Sequence, residues 1–296
     1  MGSPFNITVV AANEEIADIN IQEAIAEIER IEKMISSWEK DSETSQINKY
    51  AGVKPVKVSK ELFKLIERCN QISEFTDGAF DISFASMDRI WKFDGSMKKM
   101  PSKEAIKASV AKVGYQNIIL NSVDRTVFLK EKGMKISFGA IGKGYAAEKA
   151  KEFLVSRQVV GGIIDAAGDL TTWGTDISGE KWIIGVVNPL KTDTVVSWLP
   201  VIESSVATSG SYEKYVTFKG KQYAHIIDPR TGYPSSGIRQ VSVFAKSAEL
   251  CDALATSVFI MGKEAGLALI NQFRDIDVII FDDNGKVYKS SGIVLE

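Results

Sequence analysis

From residue 159 to residue 245 the chain reads as one strand after another. Short runs rich in β-branched and aromatic residues at 159–165, 181–187, 198–203, 213–218, 222–227 and 239–245 follow each other without a helical period between them. Strands grouped in this way argue against a doubly wound parallel sheet, in which strands and helices alternate. They predict an α+β fold with mixed or antiparallel sheets flanked by helices. Lys219-Gly220 reads as a hairpin turn, and Asp283-Asn284-Gly285 closes a last hairpin.

The helices announce themselves by a different spacing. A strand at 5–11 precedes a long amphipathic stretch, 14–38, in which Ile21, Ile25, Ile28, Ile31, Ile35 and Trp38 recur at three- and four-residue steps on one buried face. A polar loop, 41–45, leads towards a second helix at 59–75, capped by Ser59, with Leu62, Leu65, Ile66, Cys69, Ile72 and Phe75 inward. Further helices are predicted at 103–112, from the glycine-rich segment at 137–144 to about 156, at 248–261 and at 263–273, with strands at 117–120 and 126–130. No repeat or low-complexity linker divides the chain, which predicts a single compact unit over residues 1–296.

Composition narrows the chemistry. The 36 basic and 38 acidic side chains nearly cancel, so charge gives no reason to expect nucleic acid as a partner. No apolar run approaches the ~18 residues needed to span a bilayer. Cys69 and Cys251 are too few for a disulfide framework or a zinc site and read as small core residues. His225 is the only histidine, which excludes any mechanism needing two imidazoles.

Five segments could carry chemistry, and each has a plainer reading. In Gly139-Ala140-Ile141-Gly142-Lys143-Gly144, small residues at a helix start suit a phosphate, or merely tight helix packing. The segment fits neither the Walker A spacing nor the dinucleotide fingerprint. Asp252 and Thr256 lie one turn apart on one helix face and offer hard oxygen ligands for Mg²⁺; alternatively they are a helix-start charge and a hydroxyl bonded to its own backbone. His225 precedes a turn set by Pro229 and Gly232, where an imidazole can act as a base or serve structure alone. Thr76 to Asp81 could wall a flat ring, with Ala79, Phe80 and Asp81, or simply end a helix. Val206 to Gly210, with Ser209, is a strand ending in hydroxyls, suited to phosphate oxygens or to a tight turn.

The order of these segments resembles the family of bacterial flavin transferases often called ApbE. The likeness runs from Met1-Gly2-Ser3-Pro4-Phe5 through Trp38 to Asn48, Thr76 to Asp81, Gly139 to Tyr145, Ala167-Gly168-Asp169-Leu170, Ala207 to Gly210, His225 to Gly232, and Cys251 to Thr256. The His-x-x-Asp-Pro-x-Thr-Gly turn and the Asp-x-x-x-Thr helix are its most specific parts. The resemblance implies an ApbE-like fold and a Mg²⁺-dependent enzyme that splits FAD, attaches FMN to a Thr or Ser of an acceptor protein and releases AMP. Some relatives instead hydrolyse FAD to FMN and AMP, and a non-catalytic FAD-binding protein is a third reading. By position, Asp252, Thr256 and the carbonyl of Gly142 would hold Mg²⁺. Ala79, Phe80 and Asp81 would line the adenine side; Met1, Trp38, Gly139 and Lys143 would help enclose FAD; Ser209 would lie near its phosphates; His225 matches the histidine implicated in transfer. The acceptor expected is a subunit of a membrane redox complex or similar. The expected location is the cell envelope, periplasmic or on the outer face of the inner membrane, behind a leader, with a cytoplasmic member as the alternative. Many relatives have Asp where this chain has Ser137 and Gly where it has Ala167. A second acidic ligand found in some would fall on Ala255, which leaves the number of metal ions open.

Overall fold

The computed structural model describes residues 2–201, 203–211 and 215–293, with side chains for all of these except 188 and 191–200. Strand β1 (Asn6–Val9) runs into α1 (Glu14–Ile35), where the Asn13 side chain accepts the Ile16 N–H at 2.9 Å and caps the helix. The short α2 (Glu43–Lys49) and β2 (Val56–Lys57) lead to α3 (Lys60–Phe75), capped by Ser59 as its sequence predicts. Next come α4 (Lys103–Ser109), β3 (Ile118–Asn121), β4 (Thr126–Leu129) and α5 (Gly142–Ser156). The strand-rich half follows: β5 (Gly162–Ala166), β6 (Asp169–Trp173), β7 (Trp182–Asn188), β8 (Lys191–Val201), β9 (Ser205–Gly210), β10 (Tyr215–Phe218), β11 (Lys221–Ala224) and β12 (Ile238–Ala245). Helices α6 (Ala248–Met261) and α7 (Lys263–Ile270) and strands β13 (Asp277–Asp282) and β14 (Val287–Lys289) complete the chain.

Seven strands form the central sheet in the order β1-β5-β6-β9-β12-β13-β14, every pair antiparallel. The α+β expectation therefore holds. Its physical basis is visible in the two-residue alternation along the strands. Val241, Val243, Val278 and Ile280 point to one face and are sealed by α6 and α7; Phe244, Ile279 and Phe281 point to the other, where Ile184 and Val186 of the β7–β8 hairpin cover them. A separate layer packs Ile28, Ile31 and Ile35 of α1 against Leu62, Leu65 and Ile66 of α3 and Ala146 and Ala150 of α5. Burying each such Ile or Leu contributes about 1.5–3 kcal/mol. Cys69 and Cys251 sit fully inside these layers as small apolar groups, and burial pushes both thiols well up.

Several boundaries move from their predicted places. Helix α1 stops at Ile35, not at residue 38. Ser36 is extended, and its hydroxyl accepts the Glu39 N–H at 3.1 Å, offering the backbone an alternative to the helix. Trp38 is consequently 70% exposed rather than on the buried face. The loop expected at 41–45 opens α2, with Ser42 as its cap. Strand β11 ends at Ala224, three residues before its predicted limit at 227. The predicted strand at 198–203 belongs to the longer β8, and its residue 202 lies outside the described residues; so do residues 213 and 214 of the strand predicted at 213–218. Among the described residues no helix is long and apolar enough to cross a membrane.

The β5–β6 hairpin turns through Ala167 (φ 54°) and Gly168 (φ 95°), between the paired residues Ala166 and Asp169. A two-residue turn with both central φ values positive suits glycine at both places. Left-handed alanine costs roughly 1–2 kcal/mol, while the extra freedom that glycine brings to the unfolded chain returns roughly half of that. Ala167→Gly should thus raise the unfolding free energy by about 0.5–1 kcal/mol. Urea melts with a higher midpoint and an unchanged slope would bear this out; an unchanged or lower midpoint would refute it.

Candidate functional site

A cavity of about 540 Å³ opens between the first turn of α5, the middle of α6, the end of β9 and the loops at 79–87 and 225–229. That volume is in the range of sites for organic ligands. A smaller recess of about 170 Å³ adjoins it and shares Ser3, Gly139 and Lys143 with it.

The cavity floor depends on how closely α5 meets α6. A Cβ on Gly144 would stand 2.1 Å from the Ala248 carbonyl oxygen and 2.8 Å from Asp252 Cβ, so only glycine allows the crossing. With the helices this close, the Gly144 N–H donates to Asp252 Oδ2 at 3.0 Å. The α5 N-terminus thereby stabilises a buried carboxylate through an unsatisfied donor and the helix dipole. The glycine-rich segment thus does two jobs. Gly144 serves packing, whereas Gly139, whose nearest hypothetical clash is the Phe84 ring edge at 3.7 Å, faces the cavity. Asp252 and Thr256 both line the cavity from α6, and the Thr256 hydroxyl lies 3.3 Å from that of Ser209 at the end of β9.

A second buried carboxylate, Asp169, stands behind this wall, joined to its Lys143 and Thr208, and nothing in the sequence reading assigned it a role. It opens β6 just after the tight turn. Its Oδ2 forms an ion pair with the Lys143 ammonium, and its Oδ1 accepts the Thr208 N–H at 3.2 Å. Burial is the main force raising the pKa of Asp169, and the adjacent Asp252 carboxylate adds to it. Burial likewise pushes Asp252 up, with Lys143 and the α5 N–H groups opposing. For Lys143, burial works downward, but Asp252 and Asp169 outweigh it and hold the ammonium above its usual range. It enters the sequence reading only within the Ala167-Gly168-Asp169-Leu170 resemblance; an Asp directly after Ala-Gly is also ordinary turn chemistry, so it drew no role of its own.

His225 stands at the other side, exposed at the cavity edge, just past the end of β11. Ser235 accepts the Ala224 N–H at 2.9 Å and donates to the Ile226 carbonyl at 2.8 Å, so one residue answers both neighbours of His225 and the imidazole is turned out of the ladder. The following turn is rigid. Asp228 Oδ1 takes the Arg230 N–H and Nε–H, both at 2.9 Å, and the Gly232 carbonyl accepts the Trp91 indole N–H at 2.9 Å.

The other predicted residues divide. Ala79, Phe80 and Asp81 line the main cavity, but the Asp81 carboxylate also fastens its own loop, accepting the Ser83 N–H at 2.7 Å and the Tyr115 N–H at 2.8 Å. Burial raises its pKa. Gly142 and Trp38 line the smaller recess. Met1 lies outside the described residues. Among the described residues, no trio of His, Cys, Asp and Glu is arranged to hold a metal.

Gly144→Ala should cost about 3 kcal/mol or more, since the clash is with backbone and with the carboxylate's own Cβ. The check is thermal unfolding beside an Ala variant of Gly139, which has room for a methyl group. Equal melting temperatures for the two variants would rule out the packing role.

A model of the ApbE family matches residues 1–280. The chain is 32% identical over 293 residues to a protein of Klebsiella pneumoniae (strain 342) named FAD:protein FMN transferase, covering 98% of this chain and 90% of that one. A Treponema pallidum (strain Nichols) protein of the same name is 30% identical over 292 residues, covering 93% and 80%. The crystal structure of the ApbE protein of Thermotoga maritima superposes with a TM-score of 0.87 at 29% identity, covering 98% of this chain and 94% of that one.

Proposed function

The chain belongs to the ApbE family, and from that premise we propose that it is a Mg²⁺-dependent FAD:protein FMN transferase, moving FMN from FAD to a Thr or Ser of an acceptor protein and releasing AMP. The observation that carries the reading is the single cavity at which Asp252, Thr256, Ser209, Lys143 and His225 meet from distant parts of the chain.

The residues present fit the cation. Asp252 and Thr256 offer hard oxygen donors from the cavity wall, Gly142 of the adjoining recess would add its carbonyl, and two buried carboxylates that share one ammonium would be favoured in their ionised form by a further cation. Mg²⁺ takes one or two carboxylates and fills its remaining positions with water and substrate phosphate, so the lack of a larger acidic cluster is no obstacle. When bound, the ion neutralises pyrophosphate charge and makes the phosphorus easier to attack.

The chain's own groups do the rest. Lys143 and the backbone N–H groups near Gly139 and Ser209 hold the phosphate oxygens. Apolar walls from Phe84, Met87 and Ile260 bury the ring systems. His225 accepts the proton of the incoming Thr hydroxyl as its oxygen bonds to the FMN-side phosphorus. The bond from that phosphorus to the bridging oxygen breaks, and AMP leaves with the electron pair. The exposure of His225 favours a macromolecular hydroxyl over the hydrolytic alternative, in which water would attack. Stable FAD in the presence of Mg²⁺, with no AMP formed, would instead mark a non-catalytic FAD-binding protein. In this reading the acceptor is a membrane redox subunit or similar and the reaction belongs to the cell envelope; recovery of the native protein in the cytosol on cell fractionation would reject that location.

Asp252→Asn should lower Mg²⁺-dependent AMP release by about 100-fold or more with the circular dichroism spectrum unchanged. Undiminished release would remove Asp252 from the reaction. His225→Ala should slow FMN attachment to an acceptor by about 10²-fold, read by mass spectrometry, while FAD affinity stays put. Equal attachment rates in variant and parent would reject the base role.

A further inference from the structure

Helices α5 and α6 exchange capping groups where they cross. Helix α5 starts after Ile141, whose side chain cannot cap it, and its Gly144 N–H finds an acceptor in Asp252 of α6. The reverse link lies one turn along α5. Glu148 Oε2 accepts the Glu249 N–H, in the first turn of α6, at 3.0 Å and the Ser247 hydroxyl at 2.6 Å. Each helix thus meets a first-turn N–H of the other with a carboxylate.

The two links converge on one peptide group. The bond between Ala248 and Glu249 carries both the carbonyl that stands over Gly144 and the N–H that Glu148 holds. A third helix fixes the same turn. Arg68 of α3 donates from Nε and Nη2 to the two Glu249 carboxylate oxygens at 2.7 and 2.8 Å. Its guanidinium also lies 5.8 Å from the centre of the Tyr145 ring of α5, whose hydroxyl donates to Glu61 of α3 at 2.8 Å. Arg68, Glu148, Ser247 and Glu249 do not line the ligand cavity; they line a separate hollow of about 400 Å³.

Helix stability alone does not call for Glu148. Ser247 already caps α6, its hydroxyl oxygen accepting the Leu250 N–H at 3.2 Å. What Glu148 adds is a second bond between the helices, one turn away from the Gly144 bond. Helices that touch at a single glycine can rock about it, and a second bond at another height stops the rocking. At roughly 1.5 Å per residue, Asp252 lies about 6 Å and Thr256 about 12 Å beyond Ala248, so a tilt of about 5° at the start of α6 displaces Thr256 by about 1 Å. A misplacement of that size costs a reaction on the order of 100-fold. We propose that Glu148 is a positioning residue: from outside the cavity it sets the tilt of α6, and with it the spacing of the Asp252 and Thr256 oxygens. The link to the metal rests on the Mg²⁺-dependent reading above, whereas the control of tilt stands on the helix crossing alone.

The test compares the full chain with Glu148→Ala, Glu148→Gln and, as a control for lost stability, Asn13→Ala, which removes the cap of α1. Glutamine keeps an oxygen that can accept both bonds. Amide hydrogen exchange followed by NMR, without metal or FAD, reads the Gly144 N–H, whose acceptor is Asp252. In Glu148→Ala this amide should exchange at least about tenfold faster, with Ala150 further along α5 at the parent rate, and in the other two variants it should stay within about twofold of the parent. Calorimetric titration with Mg²⁺ should show a Kd raised at least about fivefold by Glu148→Ala alone. Should Glu148→Ala not fold, Glu148→Asp, whose carboxylate falls one methylene short of both donors, gives the same two readings. An unchanged Gly144 rate overturns the proposal. So does an equal acceleration in Asn13→Ala, which would reduce Glu148 to a stabilising contact, or in Glu148→Gln, which would remove the hydrogen-bonding role. A Mg²⁺ Kd equal in Glu148→Ala and parent overturns the link to the metal site. A parent that takes up no Mg²⁺ counts against the metal reading, and the exchange rates still decide whether Glu148 holds the tilt.

Discussion

The contact of α5 with α6 at Gly144 sets the depth of the whole cavity. Any side chain there would meet the Ala248 carbonyl, and the helices would have to separate. Their separation would withdraw the α5 N–H from Asp252, leaving a carboxylate that is 5% exposed with less to hold it. A hydrogen bond to a charged group is worth about 1.5–3 kcal/mol, and a buried charge that loses its partner costs more than that. The same crossing presents Thr256 one turn further along α6 to Ser209. One glycine thus ties the helix layer to the end of β9 and fixes which oxygens face the ligand space.

Charge at this floor is unbalanced by design of the fold. Asp169 and Asp252 approach from a strand and a helix, and a single ammonium, Lys143, lies between them. Two buried carboxylates sharing one cation resist full ionisation. A further positive charge relieves that resistance, and this is the physical content of the proposed metal preference. Asp169 also bonds the Thr208 backbone, so its position is coupled to that of Ser209 one residue on. A change at either acid is therefore felt along the β9 side of the cavity.

How much of this could be read in advance depended on the length scale of each feature. Amphipathic periods over α3 and α6 and the grouping of strands gave the layers, because burial repeats over many residues. The pairing of Asp252 with Thr256 was legible because one helical turn is a local distance. The end of α1 was not. Ser36 redirects the backbone through its own hydrogen bonds, and the apolar Trp38 beyond it looked like one more step of the stripe. The role of Asp169, named only within a resembling segment, was hidden for another reason. Its partners, Lys143 and Thr208, lie 26 and 39 residues away in sequence, and no spacing rule reaches them. The bulged exit of His225 likewise depends on Ser235, whose hydrogen bonds to both flanking residues only the folded chain reveals.

The resulting cavity has two ends of opposite character. At the floor, two acids are buried and held by backbone donors and by the Lys143 ammonium, a setting in which electrostatic interactions are strong. At the mouth, His225 is exposed, on a turn made rigid by Asp228, Arg230 and Trp91. A hydrolase gains nothing from holding its base at an open rim, where water needs no guidance. A transferase must deliver an activated phosphorus from a closed interior to a hydroxyl on another macromolecule, and it needs the base at that boundary. The division between a closed, charged floor and a rigid, open mouth is the feature of the fold that most favours group transfer to a protein over simple cleavage of the dinucleotide.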